Sequence, residues 1–208
     1  MLLGPYLAPN FFTDSTHKAV LAYAQAHTRK EDDDLTKAGC LYKAVRDGFW
    51  YNPYPIGVQR EVFRASAQIL RPEGHCIDKA NILAACARAV GIPARLGFAN
   101  VTNHIGTEKL EKQLGTNLLV FHGYAELYLQ ARWVKATPAF NLGLCEKLNV
   151  APLEFDGQTD SIFQPYNANG SKFMEYVHDY GTFAELPYSV MLSEWAKHYP
   201  GIAIGQLA

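Results

Sequence analysis

The chain has 208 residues, 49% of them hydrophobic and 12% aromatic, enough apolar material to bury one full core. Its 19 basic and 20 acidic residues give a formal charge of −1, which leaves no electrostatic footprint for nucleic acid or an anionic membrane. The run Met1-Leu2-Leu3-Gly4-Pro5 lacks a basic leader and is broken by proline, and no later run is long enough to span a bilayer, so the expectation is a soluble, cytoplasmic protein.

Asp14 or Ser15 is placed to cap a first helix carrying Ala19, Val20, Ala22, Tyr23 and Ala26 and ending near His27. The charged run Arg29 to Asp34 reads as a solvated connection whose last Asp caps a second helix, with Leu35, Ala38, Leu41, Tyr42 and Val45 on one side and a stop at Gly48. After the aromatic loop Phe49-Trp50-Tyr51-Asn52-Pro53-Tyr54-Pro55, a third helix is expected over 58–70.

Pro72 and Gly74 then break the chain just before Cys76. Ile77, Ala80, Leu83, Ala84, Ala87 and Val90 recur at three-and-four spacing, and Gly91 and Pro93 end the run, which predicts a buried helix over 76–90. The unpaired N–H groups and positive dipole end of its first turn favour a thiolate, so Cys76 is a candidate nucleophile with a depressed pKa. Filler is the competing reading, because free cysteines commonly serve as small buried apolar groups. Cys40, Cys86 and Cys145 read as filler. No pair of cysteines has the spacing of a zinc or redox site, so neither a metal nor a disulfide framework is expected.

Past Pro93 the pattern turns to strands. The first is expected over 95–101, followed by a polar loop through Thr107-Glu108-Lys109 and Gly115-Thr116-Asn117. Residues 118–129 alternate, with His122, Tyr124, Glu126 and Tyr128 on one face, and 132–136 follow after a tight turn at Gln130-Ala131. A short helix over 142–148, an irregular excursion over 152–169, a strand over 172–178 and a terminal helix over 188–198, ended by Pro200-Gly201, complete the chain. Helices first and strands second make an α+β fold.

A cysteine nucleophile needs a base beside the sulfur, and the base needs an orienting partner. His122 suits the base. Antiparallel pairing counted back from the turn puts Tyr124 opposite Thr137 and His122 opposite Ala139, so Thr137 is where an orienting group is expected.

These residues carry a resemblance. Gly74-His75-Cys76-Ile77-Asp78-Lys79-Ala80 with Arg88 to Arg95 resembles the cysteine-helix signature of the transglutaminase-like superfamily, and His122 to Leu129 with Trp133-Val134 resembles its histidine strand. The resemblance covers roughly residues 50–140. It implies a papain-like α+β core, with a cysteine-bearing helix packed on an antiparallel sheet and a Cys-His-Asp triad used in amide chemistry. Length and composition predict one domain over 1–208, with its core expected at about 35–140 and a C-terminal elaboration over 141–208.

At the third triad position the sequence departs: where the family has Asp before Pro, it has Thr137 before Pro138. A hydroxyl accepts a hydrogen bond from an imidazole but offsets no positive charge. Asn141 and Asp156 are the other candidates for orienting His122. Of the remaining residues, His75 reads as a partly exposed cap, Asp78 and Lys79 as surface or local-pairing groups, and Glu126 as a sheet residue. Trp50, Tyr51 and Tyr124 are candidates for binding substrate.

The resulting expectation is a cofactor-free thiol enzyme acting on a peptide, protein or small amide through Cys76 and His122. The rival is a binding or scaffolding module of the same fold whose activity has faded, motivated by Thr137.

Overall fold

Helix α4 (Cys76–Ala89) is buried from Ile77 to Arg88, its apolar residues together with Asp78, Lys79, Asn81 and Arg88, and the other elements are arranged around it. The structure, a computed structural model, describes residues 2–55, 57–104, 108–163, 166–167 and 169–199. Helices α1 (Lys18–His27), α2 (Asp34–Gly48) and α3 (Ala65–Gln68) pack on one side of α4. On the other side lies an antiparallel sheet of four strands: β3 (Ala94–Asn103), β4 (Leu118–Leu129), β5 (Arg132–Ala136) and β6 (Met174–Phe183), in the order β5-β4-β3-β6. A two-residue parallel pair, β1 (Trp50–Tyr51) with β2 (Glu73–Gly74), ties the aromatic loop to the residues just before Cys76. Helices α5 (Glu108–Leu114), α6 (Leu142–Leu148) and α7 (Tyr188–His198) complete the described chain. The molecule is α+β, with the helical half first, as the residue pattern implies.

The β4–β5 hairpin has the expected register, Leu129 opposite Arg132 and Ala125 opposite Ala136. Gln130 (φ 47°) and Ala131 (φ 64°) supply the two left-handed residues that match a two-residue turn to the strand twist. Gly123 on β4 faces α4 so closely that a Cβ there would stand 2.9 Å from the Ile77 Cα, and this contact seats the start of α4 on the sheet.

Several local expectations are corrected. His17, not Asp14 or Ser15, caps α1, its ring accepting from the Ala19 N–H. Asp14 is drawn inward instead, where its carboxylate takes the Arg64 guanidinium, the Ser66 N–H and the Ser66 hydroxyl. Asp33, not Asp34, caps α2. The third helix is only a 3-10 turn (Arg60–Phe63) and the single turn α3, because Arg64 between them is extended (ψ 133°), which lets Ser66 reach Asp14. The polar loop after β3 contains α5, whose Leu110 and Leu114, four residues apart, are buried while its charges face water. Thr107, at the start of that loop, and Pro200-Gly201 lie outside the described residues. β3 and β6 both run longer than expected, because they pair with each other from Leu96 with Phe183 to Asn103 with Met174.

Among the described residues no helix is long and apolar enough to cross a membrane.

Candidate active site

Cys76 is the first residue of α4, and the chain enters the helix through a reciprocal cap. The His75 ring accepts from the Asp78 N–H, and the Asp78 carboxylate accepts from the His75 N–H. Gln68 Nε2 donates to the other Asp78 oxygen. Asp78 is therefore a buried structural residue and not a surface group. His75 is the partly exposed cap expected, and its ring also reaches the cavity in front of the sulfur.

That cavity has a volume of about 50 Å³, and both Cys76 and His122 line it. Tyr51 and Pro53 wall it from the aromatic loop, Leu110 and Leu114 from α5, and Trp195 and Tyr199 from the end of α7. The walls are nearly all apolar, and this sets the electrostatics. Burial pushes the Cys76 thiol up to about 11, against the pull of the Gly123, Ile77 and Cys76 N–H groups toward thiolate. Burial, with a smaller contribution from His75, pulls the His122 imidazole down to about 4. The expected depressed thiol is thus corrected: helix-end amides do favour the anion, but desolvation outweighs them. With the thiol pushed up and the imidazole pulled down, both by burial, the resting pair is neutral.

Neither His122 ring nitrogen has a hydrogen-bond partner among the described residues, and neither does Thr137 Oγ1, although both side chains are buried. Asn141 and Asp156 do not fill the orienting role. The Asn141 side-chain oxygen accepts from the Tyr51 N–H, and Asp156 is exposed, closing its own loop by accepting from the Gln158 and Thr159 N–H groups. The nearest ring partner of His122 is Phe163, 5.3 Å between centroids.

Of the three residues expected to bind substrate, only Tyr51 lines the cavity. Trp50 is 61% exposed and leans over Gly143 of α6. Tyr124 covers Gly97 on the opposite face of the sheet, where it lines a second cleft with Lys135 and Tyr176. Glu126 is engaged by Arg95 at 2.6 Å, a sheet role as expected. Leu110, Leu114, Trp195 and Tyr199 are the wall residues that sequence reasoning missed. Their i, i+4 spacings mark helix faces but not what those faces cover.

Lys79, expected as a surface or local-pairing group, is neither: it is wholly buried one turn beyond Cys76 and bonds to distant segments. Its ammonium donates to three main-chain carbonyls: Arg46 O at 2.8 Å, Phe49 O at 2.9 Å and Ala139 O at 2.8 Å. It therefore ties the cysteine helix to the end of α2 and to the segment that follows Thr137.

The depressed imidazole has a consequence for stability. Between about pH 6.5 and 4 an unfolded His122 takes up a proton that the buried ring refuses. Its contribution is therefore present above pH 6.5 and lost as the pH falls toward 4, by up to about 3 kcal/mol. Urea unfolding at pH 7 and pH 4.5 should show a smaller acid loss in His122→Phe than in wild type.

A partly buried cysteine at a helix start, sharing a cavity with a histidine from an antiparallel sheet, defines a papain-like arrangement, and comparison with known proteins places it more closely. The family model of the transglutaminase-like superfamily matches residues 21–138, more than half of the chain. The chain belongs to the transglutaminase-like superfamily. Among solved structures it is similar to a putative cysteine protease from Cytophaga hutchinsonii, with a TM-score of 0.56 and 16% identity over 90% of this chain and 48% of that one. The chain thus spans about half the length of that protein, and the likeness is one of fold. No curated protein matches.

Proposed function

We propose that the protein is a thiol-dependent amide-bond enzyme with Cys76 as nucleophile and His122 as general base. The observation that carries this reading is the shared cavity, in which a helix-start thiol meets an imidazole whose two nitrogens are both uncommitted. With both groups neutral, attack and proton transfer are coupled. The sulfur bonds to the carbonyl carbon as His122 takes the thiol proton, and the carbonyl electrons move onto an oxygen that the Cys76 backbone N–H is placed to meet. His122 then returns the proton to the leaving nitrogen as the C–N bond breaks, leaving a thioester and a free amine. Water, deprotonated by the same imidazole, releases the acid and regenerates the thiol. Hydrolysis is preferred over transfer to an amine because water needs no second binding site.

A second reading, a module of this fold with faded activity, is favoured by one observation: Thr137 stands at the carboxylate position and makes no hydrogen bond to His122. Acylation by p-nitrophenyl acetate separates the two. The active reading expects one equivalent of nitrophenol released with acetyl on Cys76, at a rate that falls about 10²-fold or more in His122→Ala. No acetyl on Cys76, or acetylation indifferent to His122, leaves the binding-module reading.

A further inference from the structure

Among the described residues His122 has no hydrogen bond to orient its ring, so its direction is set by its backbone and by packing against Phe163, and that backbone is irregular. Pairing between β3 and β4 steps from Ala99 with His122 to Val101 with Leu119, so two residues of one strand's advance face three of the other's. Val120 and Phe121 fall in the resulting bulge. Phe121, fully buried, takes a left-handed φ of 63°, a costly conformation for a bulky residue and one that persists only when its surroundings impose it. A bulge of this kind re-aims the side chain that follows it. Here the following side chain is His122, which reaches the Cys76 cavity, whereas Tyr124, two residues on, lines the cleft across the sheet.

The polar groups that the bulge removes from the ladder are taken up by side chains: Trp195 of α7, Tyr199 just beyond it, and Asn100 of β3. The Val120 N–H donates to Tyr199 Oη at 2.6 Å, and that hydroxyl donates onward to Leu118 O at 3.1 Å. Trp195 Nε1 donates to Val120 O at 3.1 Å. The Phe121 N–H donates to Asn100 Oδ1 at 3.0 Å. Behind it Asn100 Nδ2 donates to Tyr180 Oη, which donates to Glu194 of α7 at 2.7 Å. All of these α7 and β6 residues lie beyond residue 138, outside the segment that matches the family.

We infer that Tyr199, with Trp195 and Asn100, is a positioning residue for His122, holding the Val120–Phe121 bulge so that the unpartnered imidazole points at Cys76. The arrangement replaces a carboxylate bonded to the ring with a clamp on the backbone behind it. The inference rests on the reading of His122 as the base of Cys76.

Tyr199→Phe removes the hydroxyl and keeps the ring, and it tests the clamp directly. Two readouts are taken well below the melting temperature: saturating-rate acylation by p-nitrophenyl acetate, and the NMR signals of the His122 ring, which the nearby Phe163 shifts. Expected are a rate about tenfold or more lower with KM little changed, and displaced ring signals. Asn100→Leu should move the same signals, and Asn100→Asp, which still accepts from the Phe121 N–H, should keep them near wild type. Lowered melting temperatures with unmoved His122 signals in both Tyr199→Phe and Asn100→Leu would overturn the inference. If wild-type Cys76 is not acylated at all, the functional reading fails, and the ring signals still decide the clamp.

Discussion

A Lys79→Met protein is expected to unfold about 4 kcal/mol more easily than wild type, among the largest effects of any single substitution in this molecule. Methionine fills nearly the same volume, so packing contributes little. The loss comes from three carbonyls, Arg46 O, Phe49 O and Ala139 O, each left buried without its donor. An unpaired buried acceptor costs roughly 1–3 kcal/mol, and partial relaxation keeps the sum below three full penalties. Against a total of about 5–15 kcal/mol for a domain, this is a large share. Urea unfolding at pH 7 gives the number.

The same lysine sets a pH dependence of known sign. Burial pulls its ammonium down to about 7 from its ordinary 10.5. Between those values the unfolded chain holds a proton that the folded chain releases, so this contribution to stability rises with pH across the window. Wild type should gain about 1 kcal/mol or more from pH 7 to 8.5 relative to Lys79→Met, whose curve lacks this group. Equal slopes for the two proteins would show that Lys79 keeps its proton throughout.

The second large effect concerns Cys76. Iodoacetamide should modify it about thirtyfold more slowly at pH 7 than it modifies a free cysteine. A thiol at about 11 is thiolate in roughly one molecule in ten thousand at that pH, some 300-fold less than a thiol at about 8.5. The more basic sulfur recovers about tenfold through its greater nucleophilicity. The rate should climb with pH until about 11. Acylation by an ester should instead depend on His122, because coupled proton transfer needs no thiolate beforehand, and it should be lost in Cys76→Ala. Fast alkylation near neutrality would point to a thiolate–imidazolium pair and against the neutral mechanism.

Local pattern carries much of this fold. The alternation from Leu118 to Leu129, the apolar run after Cys76 and the turn at Gln130-Ala131 are each decided by neighbours in the chain, and the elements fall where their periods place them. The positions that escape such reading are decided by distant partners. Lys79 looks like a surface residue because its three acceptors come from two distant segments, the end of α2 and the stretch after Thr137. Arg64 interrupts an apparently continuous helix to serve Asp14, fifty residues earlier in the chain. At the site, Cys76 and His122 are legible as residue types in order, and they do meet at one cavity. The medium around them is not legible, because the leucines of α5 and the aromatics of α7 that dry the cavity are far away in sequence. For that reason the helix-end argument gave the wrong direction for the thiol. The bulge at Phe121 has no local marker at all, since nothing in Leu119-Val120-Phe121 distinguishes it from ordinary strand.

The protonated state of Cys76 also bears on its chemical endurance. Peroxide attack on cysteine begins from the thiolate and leads through sulfenic acid to products that cells do not readily reverse. A sulfur that rests as the thiol offers that chemistry almost nothing to react with. Under mild oxidation the solvent-exposed Cys40 stands in the open while Cys76 is partly enclosed and protonated, so Cys40 is expected to be oxidised first.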